Sequence, residues 1–402
     1  MMWTKAKIGD CCEITSSKRI FFSEYVESGI PFYRSKEIIE LSNCQEISDP
    51  LYISESKYDE IAHKFGIPQP GDMLLTSVGT IGIPYIVKEK DTFYFKDGNL
   101  TWFRNFNERL DSRYLFYWVK SAEGQGVLNN TTIGSSQKAL TIAALKDLKI
   151  LCPPIGIQNR IVEILTSYDD LIENNQKQIK LLEEAAQRLY KEWFVDLRFP
   201  GHENTKITDG VPEGWHKTTL AEIAVIIKRG ISPKYAADGK YTVINQKCIR
   251  GSIMDITESR KQEKQYEPIL NIQDCDTVIC STGTGTLGRV GQIYGDYPNT
   301  TFDSHVTLVR AKENPNFMYQ AIKNQQRFLM GMGHGSTNQQ ELYRNVIENV
   351  EVLLPDGSFL LQTEKLLSTF HDKIKTVYLQ TSILTETRDR LLPKLMSGEI
   401  EV

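Results

Sequence analysis

Between Lys228 and Lys264 the chain places nine basic side chains: Lys228, Arg229, Lys234, Lys240, Lys247, Arg250, Arg260, Lys261 and Lys264. Only four acids, Asp238, Asp255, Glu258 and Glu263, share that stretch, so it carries a local charge of +5 in a chain whose net charge is −4. Tyr235, Tyr241, Asn245 and Gln246 are interleaved with the cations. Lysine and arginine suit phosphates and guanine edges, and asparagine and glutamine suit adenine edges. The chemistry on offer is nucleic-acid recognition. A corresponding stretch near the start holds Ser16, Ser17, Lys18, Arg19, Arg34, Ser35 and Lys36. Two further loops, Gly134-Ser135-Ser136-Gln137-Lys138 and Gly335-Ser336-Thr337-Asn338-Gln339, offer hydroxyls and amides. Glycine-rich turns add Ser77, Thr80, Thr284 and Arg289 to the DNA-binding candidates. Taken singly, each of these residues is equally at home in a solvated loop.

Motifs that would break or make bonds are missing. An amino-methylating enzyme needs Asn/Asp-Pro-Pro-Tyr/Phe, and the only Pro-Pro here is Cys152-Pro153-Pro154-Ile155. No GxxxxGK[ST] phosphate loop occurs. Gly283-Thr284-Gly285-Thr286-Leu287-Gly288 fits GxGxxG, but an extended-looking Arg289-Val290-Gly291-Gln292 follows. A dinucleotide site needs a helix there, so a β-turn is the better reading. The histidines, among them His305, His334 and His371, lie in separate segments without triad-like context. No catalytic residue, metal ligand or cofactor is assigned. Seven scattered cysteines, with no CxxC pair, read as reduced thiols of a cytoplasmic protein. The N-terminus shows no apolar signal region, and no run suits a membrane span.

The elements that must position these loops occur twice. Trp3 to Asp10 matches Trp215 to Glu222, and Gly29 to Ile38 matches Gly239 to Ile249. Asp72 to Thr80 matches Asp276 to Thr284, Asn99 to Arg104 matches His305 to Arg310, and Leu148 to Pro153 matches Val350 to Pro355. The order of matches is kept, so the chain is a duplication with an internal pseudo-two-fold relation. Each copy opens with short β-like runs and turns, such as Met73 to Thr76 and Thr277 to Cys280, together with short helices. The fold class is α+β, with two similar globular domains.

Each copy ends in a long helix. Ile161, Leu165, Tyr168, Ile172, Asn175, Ile179, Leu182, Ala186, Leu189 and Trp193 recur at alternating steps of four and three. Leu367, Phe370, Ile374, Val377, Thr381, Leu384, Arg388 and Leu391 do the same, with two polar interruptions. A helix from Ile157 to Phe194 would be ~57 Å long. So narrow a stripe suits two helices packed antiparallel as a coiled-coil spacer better than a helix lying on its own domain. Asn175 would fix their register. The segment Arg198 to Gly214, rich in proline, glycine and polar residues, reads as a linker.

The closing run Arg390-Leu-Leu-Pro393-Lys-Leu-Met-Ser-Gly398-Glu-Ile400 resembles that of the DNA-specificity subunits of type I restriction-modification systems. Trp193 to Pro200, Pro153-Pro154 with Gln158 to Ile161, and Val211-Pro-Glu-Gly-Trp215 are also similar to that family. The resemblance implies target-recognition domains at 1–155 and 198–356, with spacer helices at 156–197 and 357–402. It implies a non-catalytic subunit reading a bipartite target in double-stranded DNA. The expected partners are two methyltransferase subunits that use S-adenosylmethionine, and two motor-nuclease subunits that can join. The alternative is a stand-alone DNA binder without catalytic partners. Two departures from the family are the polar Thr381 and Arg388, and Pro355-Asp356-Gly357-Ser358 where a second proline is favoured.

Overall fold

The protein is described by a computed structural model covering residues 3–43, 45, 47–132, 134, 138–251, 253–283, 285–333 and 340–402. It divides into two compact units, residues 1–173 with 382–402 and residues 174–381. The division falls inside both long helices.

The first unit contains strands β1 (Thr4–Lys7), β2 (Glu13–Thr15), β3 (Tyr25–Val26), β4 (Ile30–Tyr33), β5 (Leu51–Ile53), β6 (Met73–Thr76), β7 (Pro84–Ile86), β8 (Tyr94–Phe95), β9 (Leu100–Arg104) and β10 (Lys149–Cys152). Among them lie helices α1 (Ser35–Ser42), α2 (Glu55–Phe65), α3 (Ser112–Lys120), α4 (Ala122–Thr131) and α5 (Ile142–Asp147), and α6 (Ile155–Tyr190) follows. One sheet has the order β2-β9-β6-β7 and is antiparallel. A second has the order β3-β5-β4-β8, in which β4 and β8 run parallel. A short ladder joins β1 to β10.

The second unit repeats this plan. Its strands are β11 (Ile207–Thr208), β12 (Val211–Pro212), β13 (His216–Thr219), β14 (Ala224–Arg229), β15 (Tyr241–Ile244), β16 (Arg260–Gln262), β17 (Thr277–Cys280), β18 (Val290–Gln292), β19 (Thr300–Phe302), β20 (Val306–Ala311) and β21 (Glu351–Leu354). Its short helices are α7 (Leu220–Ile223), α8 (Pro315–Asn324), α9 (Gln326–Gly331) and α10 (Arg344–Glu348), and α11 (Gly357–Ser397) closes the chain. The sheet β14-β20-β17-β18 repeats β2-β9-β6-β7. The parallel pair β15–β19 repeats β4–β8, and β13–β21 repeats β1–β10.

The repeated sequence stretches occupy equivalent strands, so the duplication is structural. β6 and β17 are buried along their whole length, which explains why they read as continuous apolar runs. Both begin at a buried aspartate that accepts a backbone N–H three residues earlier, Asp72 from Gln69 and Asp276 from Gln273. The second oxygen partner differs. Trp102 Nε1 donates to Asp72 at 2.8 Å, whereas Arg310 makes two 2.7 Å bonds to Asp276.

Within the first unit, Ile161 and Leu165 of α6 share a buried cluster with Leu392, Leu395 and Met396 of α11. Within the second, Ile179 packs with Ile374 and Val377, and Ala186 and Tyr190 join Leu360 and Leu367. In each unit the α6 numbers rise as the α11 numbers fall, so the two segments run antiparallel. Ile172 is buried, while Asn175, Leu182, Leu189, Phe370, Leu384 and Leu391 are half-buried. The polar interruption at Arg388 has a partner. Its guanidinium lies 2.7 Å from Asp169, which also accepts from the Tyr117 hydroxyl at 2.9 Å and sits 3.7 Å from Lys120. Asp169→Ala should destabilise this unit by about 2 kcal/mol, since it strips three partners of a half-buried carboxylate. Urea unfolding measures the loss, and an unchanged midpoint would show the network to be inert.

The segment 198–214 is not a free tether. Asp209 (φ 51°) and Gly210 (φ 76°) turn a hairpin between β11 and β12, the Asp-Gly signature of a two-residue turn. Phe199 and Trp215 flank the segment, are both buried, and stack at 4.7 Å between centroids. Phe194 and Phe359 extend the aromatic cluster.

Candidate nucleic-acid interface

At one end of each main sheet, five segments converge. In the first unit they are the stretch after β2, the β6–β7 turn, the start of β9, the end of β4 and residues 138–140. Ser77 N donates to Asn99 O and Leu140 N to Ser77 O, at 2.8 and 2.9 Å. Ser16 Oγ donates to Leu100 O, and Ser35 Oγ to Asn99 O. The second unit makes the same set, with Ser281 N to His305 O and Leu342 N to Ser281 O, each at 2.8 Å. Arg229 pairs with Glu341 and also donates to Leu342 O at 3.0 Å. Asp303 N donates to Ile244 O at 2.8 Å. Ligand-binding loops set on a rigid sheet end are a common way to carry recognition.

Several sequence-assigned residues prove to build this end instead of presenting themselves on it. Ser77 is buried, with its hydroxyl engaged by Thr101 and Leu75 O. Ser281 and Thr307 repeat the pair. Ser17 is buried too. Asn245 is 9% exposed, and its amide accepts from Lys247 N and donates to Glu258 O. Arg34 starts α1, where Glu37 accepts its backbone N–H and grips its guanidinium, with Asp49 close by. Ser77, Asn245 and Arg34 satisfy local polar groups, whereas the buried Ser17 hydroxyl has no hydrogen-bond partner among the described residues.

The basic stretch is also less bare than its charge count suggests. Lys228 pairs with Glu267, Lys234 with Glu263, and Arg250 with Glu258. Arg260 stacks 3.5 Å from the Tyr235 ring centre. Lys247 is exposed and Arg289 half-buried, and neither side chain has a partner among the described residues. Gln246 lies beside the β17–β18 turn, 3.5 Å from Thr286 Oγ1. In the first unit Arg19 reaches Asp97 at 3.0 Å, and Lys36 lies 3.9 Å from Asp49. Thr80 and Lys138 are exposed without side-chain partners among the described residues. Gln137, Thr284, Asn338 and Gln339 lie outside the described residues.

The sequence reading missed other members. Asp303 is buried here, and burial pushes its carboxyl up against the His305 N–H that donates to it. Thr282 and His305 share a hydrogen bond on the same rim. Along the first unit's sheet, Lys18, a candidate from the sequence, joins Lys64 and Arg104, which were not, in lining a groove of 280 Å³ with Phe65, Tyr94 and Trp102. Arg104 stacks 4.4 Å over Trp102 and Lys18 4.7 Å over Phe65. Their sequence signal, cations two residues from aromatics on strands, is too common to stand out.

The glycine motif is resolved. After Gly288 the chain enters β18 and not a helix. Gly288 has φ 75°, and a Cβ there would lie 2.5 Å from Met330 N. In the counterpart turn, Gly79, which matches Gly283, has φ 78° and open space. Gly79→Ala should therefore cost about 1 kcal/mol from conformation alone. Gly288→Ala adds a backbone clash and should cost about 3 kcal/mol. Paired thermal melts check the difference, and equal losses would contradict it.

The chain is a duplicated α+β scaffold whose two related units carry matched loop ends. A family described as "Type I restriction modification DNA specificity domain" matches residues 2–184. The type I restriction enzyme MjaIX specificity subunit of Methanocaldococcus jannaschii is 25% identical over 414 residues, covering 100% of this chain and 94% of that protein. A type I restriction enzyme specificity subunit of Haemophilus influenzae is 30% identical over 192 residues, which is 48% of this chain and 46% of that one. The fold is similar to the crystal structure of a type I restriction-modification S subunit from M. genitalium, with TM-score 0.59 and 18% identity over 98% of this chain and 96% of that one. The first half of the chain thus matches a type I restriction-modification DNA specificity domain, and the whole chain is similar in sequence to a type I restriction enzyme specificity subunit. No described helix is long and apolar enough to cross a membrane.

Proposed function

We propose that this chain reads a bipartite, asymmetric sequence in double-stranded DNA and carries no catalytic step itself. Domains 1–155 and 198–356 each read one half-site. The helical segments 156–197 and 357–402 set the unread gap and dock two methyltransferase subunits, which supply the chemistry. Motor-nuclease subunits join them, and the assembly works in the cytoplasm.

The observation that carries the reading is the pair of equivalent loop ends with different side chains. The first offers Arg19, Lys36, Thr80 and Lys138, and the second offers Gln246, Lys247 and Arg289. Different donors on one scaffold imply different half-sites. Partner subunits would add phosphate contacts, which reconciles DNA binding with the chain's net charge of −4.

The test is modified-base mapping in cells expressing this chain with its methyltransferase partner. Methylated adenines in two unlike motifs at a fixed spacing, lost when this gene is deleted, are the expected result. Identical half-sites would refute the asymmetry. Absence of dependent methylation would leave a stand-alone DNA binder.

A further inference from the structure

We infer that the second unit holds a divalent transition-metal site of zinc type, formed by Asp274, Cys275 and His371. The three residues come from two elements of that unit, the turn before β17 and helix α11. One oxygen of Asp274, the Cys275 sulfur and a ring nitrogen of His371 all lie within 4.8 Å of one another. His371 Nε2 is 3.4 Å from Cys275 Sγ and 3.2 Å from Asp274 Oδ1. A tetrahedral ion with sulfur at ~2.3 Å and nitrogen or oxygen at ~2.0–2.1 Å has ligand-to-ligand edges of about 3.3–3.6 Å. The two edges to His371 Nε2 stand near that spacing, and the edge from sulfur to oxygen lies within 4.8 Å.

The surroundings orient the donors as an outer shell does. Gly295 N donates to Asp274 Oδ1 at 2.6 Å, and the Lys375 ammonium holds Oδ2 at 2.7 Å. The His371 ring is 3% exposed and stacks on Tyr294 at 4.7 Å, with 19° between the planes. Its Nδ1 is buried with no hydrogen-bond partner among the described residues. Cys275 adopts φ 67°, a left-handed conformation uncommon for a non-glycine residue, and so turns its sulfur to the cluster.

The same geometry argues against a hydrolytic triad. Cysteine and aspartate face one ring nitrogen, whereas a triad needs them on opposite nitrogens. On binding, the ion takes the place of the thiol proton, which passes to solvent, and thiolate, imidazole and carboxylate ligate it. A fourth position falls to water. The bound ion would fasten α11 to the Gln273–Asp276 turn within this unit.

The full-length chain should retain one zinc per molecule after dialysis, measured by elemental analysis. Cobalt should give a thiolate charge-transfer band and the intense visible spectrum of tetrahedral coordination. Cys275→Ser, nearly isosteric, should abolish the charge-transfer band while leaving the circular dichroism unchanged. Asp274→Asn should weaken zinc retention. Zinc should raise the Tm of the wild type and leave that of Cys275→Ser unmoved. A wild-type chain that binds neither ion would overturn the site, as would a cobalt band that survives Cys275→Ser. Neither result bears on DNA recognition, because these residues lie outside the loop ends.

Discussion

Arg310→Ala should be the most damaging single substitution in the second unit, destabilising it by about 3–5 kcal/mol. The guanidinium donates twice to Asp276 and also to the carbonyls of Ile269 and Asn271, so it ties β20 to the turn before β17. Asp276 is 2% exposed, and truncating Arg310 leaves its carboxylate buried beside only one backbone N–H. Burial already pushes the Asp276 carboxyl up, against the pull of Arg310. A carboxyl raised above its unfolded value is favourable when protonated, and its contribution falls as pH rises from the unfolded towards the folded value. Without Arg310 the folded value climbs further, so the variant should recover stability as pH is lowered through the carboxylate range. Denaturant midpoints across pH check both the size and the sign. A loss under 1 kcal/mol, or one that grows on acidification, would contradict the argument. Asp276→Asn in the Arg310→Ala background should restore part of the loss at neutral pH, because it removes the unpaired charge.

The counterpart pair shows what a sequence can and cannot convey. Asp72 and Asp276 align in the repeat, and so do Arg104 and Arg310. Yet Trp102 takes the carboxylate in one copy and arginine takes it in the other. Leu308 stands where Trp102 does, so the indole that Arg104 stacks on is missing and the longer cation serves instead. Repeat order, buried strands and heptad steps were legible because each rests on many residues with one period. The parallel pairings β4–β8 and β15–β19 were not, because they join segments some sixty residues apart and no local pattern marks them. The site was half legible. Polar residue types in loops locate the rim, but type alone cannot separate a donor offered to solvent from one spent on the backbone. Ser77, Asn245 and Arg34 belong to the second kind, and only hydrogen-bond partners reveal it. His371 looked isolated in sequence because its partners, Asp274 and Cys275, lie almost a hundred residues away.

Removing Lys247 and Arg289 together should then separate the two kinds of contact. Both lie on the second unit's rim without a carboxylate partner among the described residues, so neither has to break an ion pair to meet DNA. If both contact phosphates, the double alanine variant, assembled with its methyltransferase partner, should lose roughly two units of slope in log affinity against log salt. Cognate and non-cognate DNA would then weaken alike. If Arg289 reads a guanine edge, affinity for the cognate site should fall a further ~10–100-fold, with discrimination lost at one half-site only. On the proposed division of readout between the two units, the other half-site should stay unaffected. Lys228→Ala is the control, since its ammonium is held by Glu267 at 2.7 Å, and it should leave the salt slope unchanged. An unaltered slope and unaltered specificity in the double variant would move the DNA contacts off this rim. The first unit's groove around Lys18, Lys64 and Arg104 would then be the surface that its cations and the exposed Phe65 ring best support.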